Sequence, residues 1–373
     1  MRNFLTACLI FCLTLQLASL SVNLPAPYYS FGDSINRTEP VKRKITLEQQ
    51  RAVLVEQEVK NYESIVFVGD IMMARNVEYL MESKGNSYPF DGFSIETLRS
   101  HSAIFGNFEA SVPVTHETTP AGSLKFSVRE NYLDALQNAG FSHLSLGNNH
   151  SFDYGVEGYV NTVETFSNSS LNVFGNEKRI DDESITYLRN NDKKIAVIGI
   201  NLLMRPEGSE LKKLIARAAK RSDLQIAYVH WGEEYDLHHG TEQENQAKVM
   251  IEAGADLIVG HHPHVTQDIG MIDGVPVFYS LGNYIFDQYF SKDVQEGLVL
   301  ALNYDNGFMI DIIPVSSQKS LSQPRLMSPE NHADFLAALA RKSDSLVSET
   351  IAKGRIDLQN SVASSTKMAI INQ

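Results

Sequence analysis

The chain has 373 residues, of which 43% are hydrophobic and 21% are charged, and its formal net charge at pH 7 is −13. This composition is typical of a globular protein with a large core and excludes a globally disordered chain. The acidic balance disfavours sequence-independent binding to DNA or RNA, because a surface of the same sign repels phosphates. We therefore expect no nucleic acid among the partners.

The N-terminus has the pattern of an export signal. One positive charge, Arg2, precedes an apolar run over residues 4–20, and small residues follow. This pattern predicts a signal peptide over residues 1–21, with an uncleaved N-terminal anchor as the alternative. The protein is then exported to the periplasm, the cell envelope or the medium. Both cysteines, Cys8 and Cys12, lie in this segment, so a mature chain has no disulfide and no thiolate metal ligand.

Residues 22–62 are predicted to form a linker and then a helix from Thr46 to about Tyr62. After them, short apolar runs repeatedly end in polar, glycine, acidic or histidine residues. The predicted strands lie at 65–70, 103–109, 141–150, 194–201, 224–232 and 255–264. Helical patterns separate several of them, at 129–139, 156–168, 208–221 and 242–253. This alternation predicts an α/β domain over residues 63–315.

The C-terminal third has a different pattern. Predicted strands at 276–286, 296–304 and 307–315 follow one another through short glycine-containing turns, so we expect them to be antiparallel additions to the sheet. A helical pattern runs from 329 to about 353, and the residues after about 358 are rich in Ser and Asn. Residues 316–373 are therefore predicted to be a C-terminal helical extension with a loose tail.

Five predicted strands end in side chains that can bind a metal ion. In open α/β sheets, ligands bind at the carboxyl ends of strands, so residues that follow different strands can meet at one site. Each residue alone also has a structural interpretation as a helix cap, a turn residue or a packed histidine. Five such strand ends in one chain favour a metal site. The candidate ligands are Asp70, Glu109, Asn149 with His150, His230, and His261, His262 and His264.

The segment 260-GHHPH-264 is the strongest single indication of a metal, because His is a common metal ligand and three lie within four positions. Nitrogen and oxygen ligands without sulfur suit a divalent ion such as Mn, Zn or Fe, and we expect one or two ions. A shared carboxylate can hold an ion pair that activates water. His150 is then free to act as a general acid or an oxyanion stabiliser, and Asp153 can orient its ring.

The motifs taken together resemble the capsule-synthesis CapA family, which is associated with poly-γ-glutamate capsule or envelope polymer production. They occur in the order 69-GD-70, 106-GNFE-109, 147-GNNHSFDYG-155, 230-HWGEEY-235, 260-GHHPH-264 and 280-SLGNYIFD-287. That family is similar in fold to calcineurin-like metallophosphoesterases. The resemblance therefore implies a four-layered α/β/β/α sandwich, in which helices flank two sheets.

The resemblance also implies roles for single residues. The implied metal ligands are Asp70, Glu109, Asn149, His230, His262 and His264, and the implied catalytic residue is His150, beside Asp153. One departure concerns the first strand, which in the phosphoesterases usually ends Asp-x-His. Here it reads Asp70-Ile71-Met72, so one ligand of the phosphoesterase pattern is missing, which disfavours a full two-metal site.

Other polar residues near these motifs are candidates for binding substrate. Arg75 is suited to a carboxylate or phosphate, with a surface arginine as an equal alternative. Asn107 belongs to the same candidates, as do Asn283 and Asp287, for which structural use in a turn is the alternative. Glu233 and Glu234 are either neighbours of the metal ligands or solvated acids, and the latter is favoured.

Three functions remain open on the sequence. The first is an exported metal-dependent hydrolase or transferase that acts on an anionic, glutamate-containing polymer. The second is a non-catalytic accessory protein that binds polymer or a membrane-bound synthase or export complex, which the missing histidine at position 72 favours. The third is a secreted metallophosphoesterase, which the missing histidine disfavours.

Overall fold

A computed structural model describes residues 59–92, 102–305 and 307–358, which form a mixed α/β structure with two large mixed sheets. The predicted signal peptide, the linker and the loose tail lie outside the described residues. Most of the predicted helix from Thr46 to about Tyr62 also lies outside them. Its last two residues correct the prediction, because Asn61–Tyr62 form a strand that pairs in parallel with Arg189 and Asn190.

The described residues contain sixteen strands and seven α-helices, together with short 3-10 turns. The strands are β1 (Asn61–Tyr62), β2 (Ser64–Ile71), β3 (Ser102–Phe108), β4 (His143–Ser145), β5 (Asn172–Phe174), β6 (Ile185–Asn190), β7 (Lys193–Asn201), β8 (Leu224–His230), β9 (Leu257–His261), β10 (Ile269–Ile272), β11 (Val275–Phe278), β12 (Asn283–Ile285), β13 (Glu296–Tyr304), β14 (Phe308–Ser316), β15 (Arg325–Leu326) and β16 (Arg355–Asp357). The α-helices are α1 (Arg75–Lys84), α2 (Leu133–Asn138), α3 (Gly155–Ser167), α4 (Gly208–Ala219), α5 (Thr241–Glu252), α6 (Pro329–Lys342) and α7 (Ser345–Ala352).

Two sheets organise these strands. The seven-stranded sheet has the order β1-β6-β7-β8-β9-β11-β10. The nine-stranded sheet has the order β15-β14-β13-β2-β3-β4-β5, with β12 paired to β2 and β16 paired to β14. In the centre of each sheet the strands are parallel, as in the β2–β3 and β8–β9 pairs. The carboxyl ends of neighbouring strands therefore lie side by side, which is the condition for a shared site.

Alternating side chains of both sheets meet in one buried cluster. Ile65 and Phe67 of β2 lie in it together with Tyr228 of β8. The intervening residues point the other way, since successive side chains of a strand face opposite sides of its sheet. Val66 belongs to a cluster that includes helix residues of α1, α2 and α3. Val229 belongs to a cluster with residues of α4 and α5. Burying each large apolar side chain contributes about 1.5–3 kcal/mol to stability.

The predicted strand at 276–286 is two strands, β11 and β12, in different sheets. Strand β11 pairs in parallel with β9 of the seven-stranded sheet, and β12 pairs in parallel with β2 of the nine-stranded sheet. The expectation of antiparallel pairing holds for β11 only against β10 and fails for β12, because the chain crosses between the sheets at this point. It is confirmed for β13 and β14, which are antiparallel. The crossing places Asn283 opposite Asp70.

The helical pattern at 329–353 is divided between α6 and α7. The division falls at Asp344, whose side chain accepts a hydrogen bond from the Leu346 backbone N–H and so caps α7. The C-terminal segment is not only helical, because β15 and β16 both pair with β14. Across the part of the chain that the structure describes, no helix combines the length and the apolar character needed to span a bilayer.

Candidate metal centre and substrate cleft

Both sheets contribute side chains to one buried site at the carboxyl ends of their central strands. Asp70 lies in β2, and Glu109 follows β3 directly. His230 ends β8 in the other sheet, and the loop with His262 and His264 follows β9. All five of these side chains are buried. The structure thus brings together residues that are up to 194 positions apart in the sequence (70 to 264).

The carboxylate of Asp70 holds the histidine loop. Its Oδ1 accepts a hydrogen bond from Asn107 Nδ2 at 2.8 Å and lies 3.0 Å from His261 Nδ1. Its Oδ2 accepts one from the His262 backbone N–H at 3.2 Å and lies 3.3 Å from His264 Nδ1. Asp70 therefore ties the first strand of one sheet to the loop that leaves the other sheet.

Glu109 has one satisfied oxygen and one that lacks a partner. Oε1 accepts a hydrogen bond from Asn107 Nδ2 at 2.9 Å. Oε2 is buried and has no hydrogen-bond donor among the described residues, with His264 Nε2 3.9 Å away. A buried carboxylate oxygen without a donor is unfavourable, and a bound cation relieves that cost. Ligand atoms of Asp70, Glu109 and His264 all lie within 4.8 Å of one another, so the donor set fits a divalent ion.

Burial and neighbouring groups shift the pKa values of the acids and histidines at the site. Burial would raise the pKa of Asp70, but hydrogen bonds and the charges of His261 and His264 lower it well below its ordinary value. Burial and the nearby charge of Asp70 raise the pKa of Glu109 well above its ordinary value. Burial also lowers the pKa of His230 well below its usual range and that of His262 to about 4. Neutral imidazoles are the form that binds metals.

A second group of candidate ligands contains a residue that the sequence did not favour. Glu234 is exposed, as the interpretation as a solvated acid expects, and its carboxylate also lies with His262 and His264, with ligand atoms within 4.8 Å of one another. The loop reaches this arrangement through left-handed backbone, with φ of 98° at His262 and 59° at His264. Such conformations are costly for side chains other than glycine and are concentrated at functional sites. The signal in the sequence was the position of Glu234 four residues after His230.

His150 and Asn149 lie at the open side of the site. Asn149 Oδ1 lies 2.8 Å from His230 Nε2. His150 Nδ1 lies 3.1 Å from Asp153 Oδ2, which also accepts a hydrogen bond from the Phe126 backbone N–H at 2.7 Å. The His150–Asp153 contact expected from the sequence is therefore present, and it fixes the orientation of the imidazole.

Asn148 takes part in the site although it was not among the predicted site residues. Its Nδ2 donates to Asn107 Oδ1 at 3.1 Å, and its Oδ1 accepts from the His150 backbone N–H at 3.0 Å. Asn148 thus connects the amide that bridges Asp70 and Glu109 to the loop that carries His150. The available signal was the pair of asparagines in 147-GNNH-150, of which only Asn149 was predicted to be a ligand.

The four residues predicted to bind substrate divide into two pairs. Asn107 is buried among Asp70, Glu109 and His230, so its amide contacts candidate ligands. Asn283 Oδ1 lies 3.0 Å from His264 Nδ1, and so it orients a candidate ligand as well.

The other pair, Arg75 and Asp287, lies in an open cleft. The Arg75 guanidinium contacts both carboxylate oxygens of Asp287, with Nε 3.1 Å from Oδ2 and Nη2 against Oδ1. The cleft has a volume of about 660 Å³ and is also lined by His150 and His264, so it leads to the buried site. A second cleft of about 410 Å³ beside α6 contains none of the candidate ligands.

Met72 stands where the resemblance would place a histidine. Its side chain is fully buried in an apolar cluster, and its Sδ accepts a hydrogen bond from the Ala74 backbone N–H at 3.1 Å. Met72 therefore stabilises the turn into α1.

The sequence is similar to proteins of bacterial capsule synthesis. The family described as bacterial capsule synthesis protein PGA_cap matches residues 64–288. The chain is 34% identical over 286 residues to the capsule biosynthesis protein CapA of Bacillus anthracis, across 70% of this chain and 69% of that one. It is 32% identical over 291 residues to the PGA biosynthesis protein CapA of Bacillus subtilis strain 168, across 71% and 76%. It is 24% identical over 173 residues to a probable polyglutamine synthesis accessory protein of Mycobacterium tuberculosis, across 38% and 44%. The chain belongs to the bacterial capsule synthesis protein family PGA_cap.

Proposed function

We propose that this protein is an exported, metal-dependent hydrolase or transferase in the synthesis of a capsule or cell-envelope polymer. The observation that carries the proposal is the buried Glu109 Oε2, which lacks a hydrogen-bond donor and lies beside Asp70 and His264. Two relatives whose names refer to capsule or PGA biosynthesis support the polymer. We extend that chemistry to an anionic, glutamate-containing substrate and to membrane-bound synthase or export proteins as partners.

We also propose that the fold is a four-layered sandwich of the metallophosphoesterase type. The support is the distribution of buried side chains. One cluster is shared by the two sheets, and the two others combine a sheet face with helices. In such an arrangement the two sheets present their carboxyl ends at the same edge, where Asp70 and His264 meet.

In the proposed site the residues have distinct tasks. Asp70, Glu109, Asn149, His230, His262 and His264 hold one or two divalent ions. A bound ion of this kind supplies a Lewis acid and lowers the pKa of water. Asp153 fixes the ring of His150 through Nδ1, so His150 Nε2 is the atom that exchanges a proton with the substrate. Arg75 places an anionic group of the substrate near His150.

Metal content tests the proposal directly. The full-length chain and its His264→Ala variant are incubated with Mn²⁺ or Zn²⁺, and bound metal per chain is measured by mass spectrometry. The matched control is His238→Ala, because the His238 side chain is 67% exposed and lies outside both groups of candidate ligands. We expect one or two equivalents in the parent and the control, and a loss in His264→Ala. A parent without metal contradicts the proposal.

Loaded protein is then assayed for cleavage or transfer of poly-γ-glutamate and for turnover of p-nitrophenyl phosphate. Chelator-sensitive action on the polymer supports the proposed reaction, and action on the phosphate ester alone points to a secreted phosphoesterase. His150→Ala should lose turnover and keep the metal, because His150 is not among the proposed ligands.

A non-catalytic accessory function is the second candidate. The burial of Met72 in an apolar cluster favours it, because the residue offers no ligand to a second ion. In that case the metal site serves structure or recognition. Polymer formation that survives His150→Ala but is lost in His264→Ala favours the accessory function over the enzyme.

A further inference from the structure

The mouth of the cleft carries four large apolar side chains, which we name the apolar rim: Leu124, Tyr235, Phe290 and Leu321. Leu124 is 75% exposed and Phe290 is 67% exposed. The rim lines the same concave space as His150 and His264, so it is continuous with the candidate centre. Clustered exposed apolar side chains around a polar site are typical of surfaces that a ligand covers.

The aromatic part of the rim is held in place. The rings of Tyr235 and Phe290 pack edge to face with centroids 5.2 Å apart. Gln288 Nε2 donates a hydrogen bond to the Tyr235 hydroxyl at 3.0 Å. The Tyr235 ring also lies 6.2 Å from the ring of His264. An apolar group that contacts the rim therefore lies next to His264, a candidate metal ligand. One substrate molecule can reach both places.

The described lining of the cleft offers one cationic side chain to an anionic group. Among the described residues that line it, Arg75 is the one side chain with a permanent positive charge. Its guanidinium lies 4.8 Å from the ring centroid of Phe126, which supports the cation. Asp287 and the Ser123 carbonyl take three of its five N–H groups within the described part of the chain. Two N–H groups are left for a substrate anion.

Among the described residues, the same cleft lacks the cationic side chains that would bind an extended polyanion. Glu234 and Asp287 contribute negative charge to the lining, and Asp287 already offsets the charge of Arg75. Binding of several anionic units needs several cations, which attract the charges in series. The described lining offers an apolar surface in their place.

We infer that the cleft binds an amphiphilic substrate, in which one anionic group lies next to an apolar group. The anion is held at Arg75 and the metal centre, and the apolar group covers the rim. This inference rests on the proposed function, because it takes the cleft over His150 and His264 as the substrate site. A polymer then meets the site through an end that bears an apolar group, and its other charged units stay outside.

Hexyl phosphate and methyl phosphate test this inference, because they share the anion and differ in apolar length. Their affinities for the full-length chain are measured by calorimetry, with and without Mn²⁺. We expect hexyl phosphate to bind about tenfold more tightly or better, since its added methylene groups leave water on the rim. Leu124→Ser and Phe290→Ser should each reduce that gain by about threefold or more. Leu346→Ser is the matched control, because Leu346 is 74% exposed and lies on α7 outside the cleft lining.

These measurements distinguish failure of the amphiphilic substrate from failure of the proposed metal site. Equal affinities for the two phosphates, or equal losses in Leu124→Ser and Leu346→Ser, overturn the amphiphilic substrate. If methyl phosphate still binds in a Mn²⁺-dependent manner that His264→Ala abolishes, the proposed metal site stands. If neither phosphate binds in the presence of Mn²⁺, the substrate site itself is overturned together with the inference.

Discussion

His264 Nδ1 lies 3.3 Å from Asp70 Oδ2, and this contact joins the loop after β9 to the C-terminal end of strand β2. Asp70 lies in one sheet and the loop of His264 leaves the other, so their proximity depends on how the sheets are connected. The crossing of the chain from β11 to β12 supplies that connection, since it places Asn283 beside both residues. The geometry of the site is thus fixed by the fold around it.

Glu109→Gln should exchange metal binding for stability. The buried carboxyl of Glu109 lies beside Asp70, and both burial and that charge raise its pKa. A neutral amide of the same shape removes the unfavourable charge, so metal-free Glu109→Gln should be more stable by about 1–2 kcal/mol in denaturant unfolding. Its bound metal should fall below that of the parent. Glu157→Gln, on the exposed face of α3, is the control. A less stable metal-free Glu109→Gln would contradict the prediction.

Gly69→Ala should disrupt the strand that carries Asp70. A Cβ at Gly69 would lie 1.9 Å from the Gly282 carbonyl oxygen, which itself accepts the Asp70 backbone N–H. Backbone atoms cannot move away cheaply, so we expect a loss of about 3 kcal/mol or more and a weaker metal site. Gly208→Ala is the matched control, because a Cβ there meets only Val249 Cγ1 at 4.0 Å. Equal thermal stability of the two variants would refute this reasoning.

Arg75 and Asp287 should be strongly coupled in a double-mutant cycle. Their side chains are 12% and 9% exposed, and the guanidinium contacts both carboxylate oxygens. Removal of either partner leaves a buried charge without its counter-ion, so we expect a coupling energy of about 1–3 kcal/mol. The same cycle on the exposed pair Lys353 and Glu349 should give no measurable coupling. Additive effects at Arg75 and Asp287 would mean that solvent already screens the pair.

His143 should make the protein sensitive to acid. Burial lowers the pKa of His143 from its ordinary value of 6.5 to about 3. Between these values the unfolded chain binds a proton that the folded chain does not bind, so stability falls as the pH falls below 6.5. From pH 7 to near pH 5 this residue should remove about 2 kcal/mol from the free energy of unfolding. His143→Gln lacks this contribution.

The comparison between His143→Gln and the parent isolates that residue from the other groups that titrate in the same range. The two proteins are unfolded in urea at each pH, and the difference between their free energies of unfolding is plotted. We expect the variant to gain relative to the parent as the pH falls. A difference that does not change with pH would mean that His143 has the same pKa in the folded and the unfolded protein.

The sequence predicted the strands of the site and the residues at their ends, because apolar runs followed by polar residues are local signals. The ends of β2, β3, β8 and β9 agree with the predicted strands within a few residues. The division at β11 and β12 could not be predicted in this way. Its cause is a change of sheet, and both halves of 276-PVFYSLGNYIF-286 look like strands. The pairing partners are far away in the chain, with Asn283 opposite Asp70.

Most hydrogen bonds around the site could not be predicted from the sequence. Asn107 was predicted to bind substrate, and the sequence does not indicate that its amide donates to both Asp70 and Glu109. Glu234 is exposed, as expected for a solvated acid, but nothing local in 230-HWGEEY-235 indicates that its carboxylate lies with His262 and His264. Arg75 and Asp287 were both predicted to bind substrate. Their contact with each other could not be predicted, because it joins positions 212 residues apart. Such relationships depend on tertiary packing and have no periodic signature in the sequence.

The division of the candidate ligands between two sheets has an evolutionary consequence. Neither half of the molecule can be inherited, duplicated or transferred as a working centre, because Asp70 and Glu109 come from one sheet and the imidazoles come from the other. Selection for the chemistry therefore acts also on the apolar residues that join the sheets, such as Phe67 and Tyr228. A substitution in the apolar cluster between the two sheets, remote from every candidate ligand, can abolish the function although all the ligands remain in the sequence.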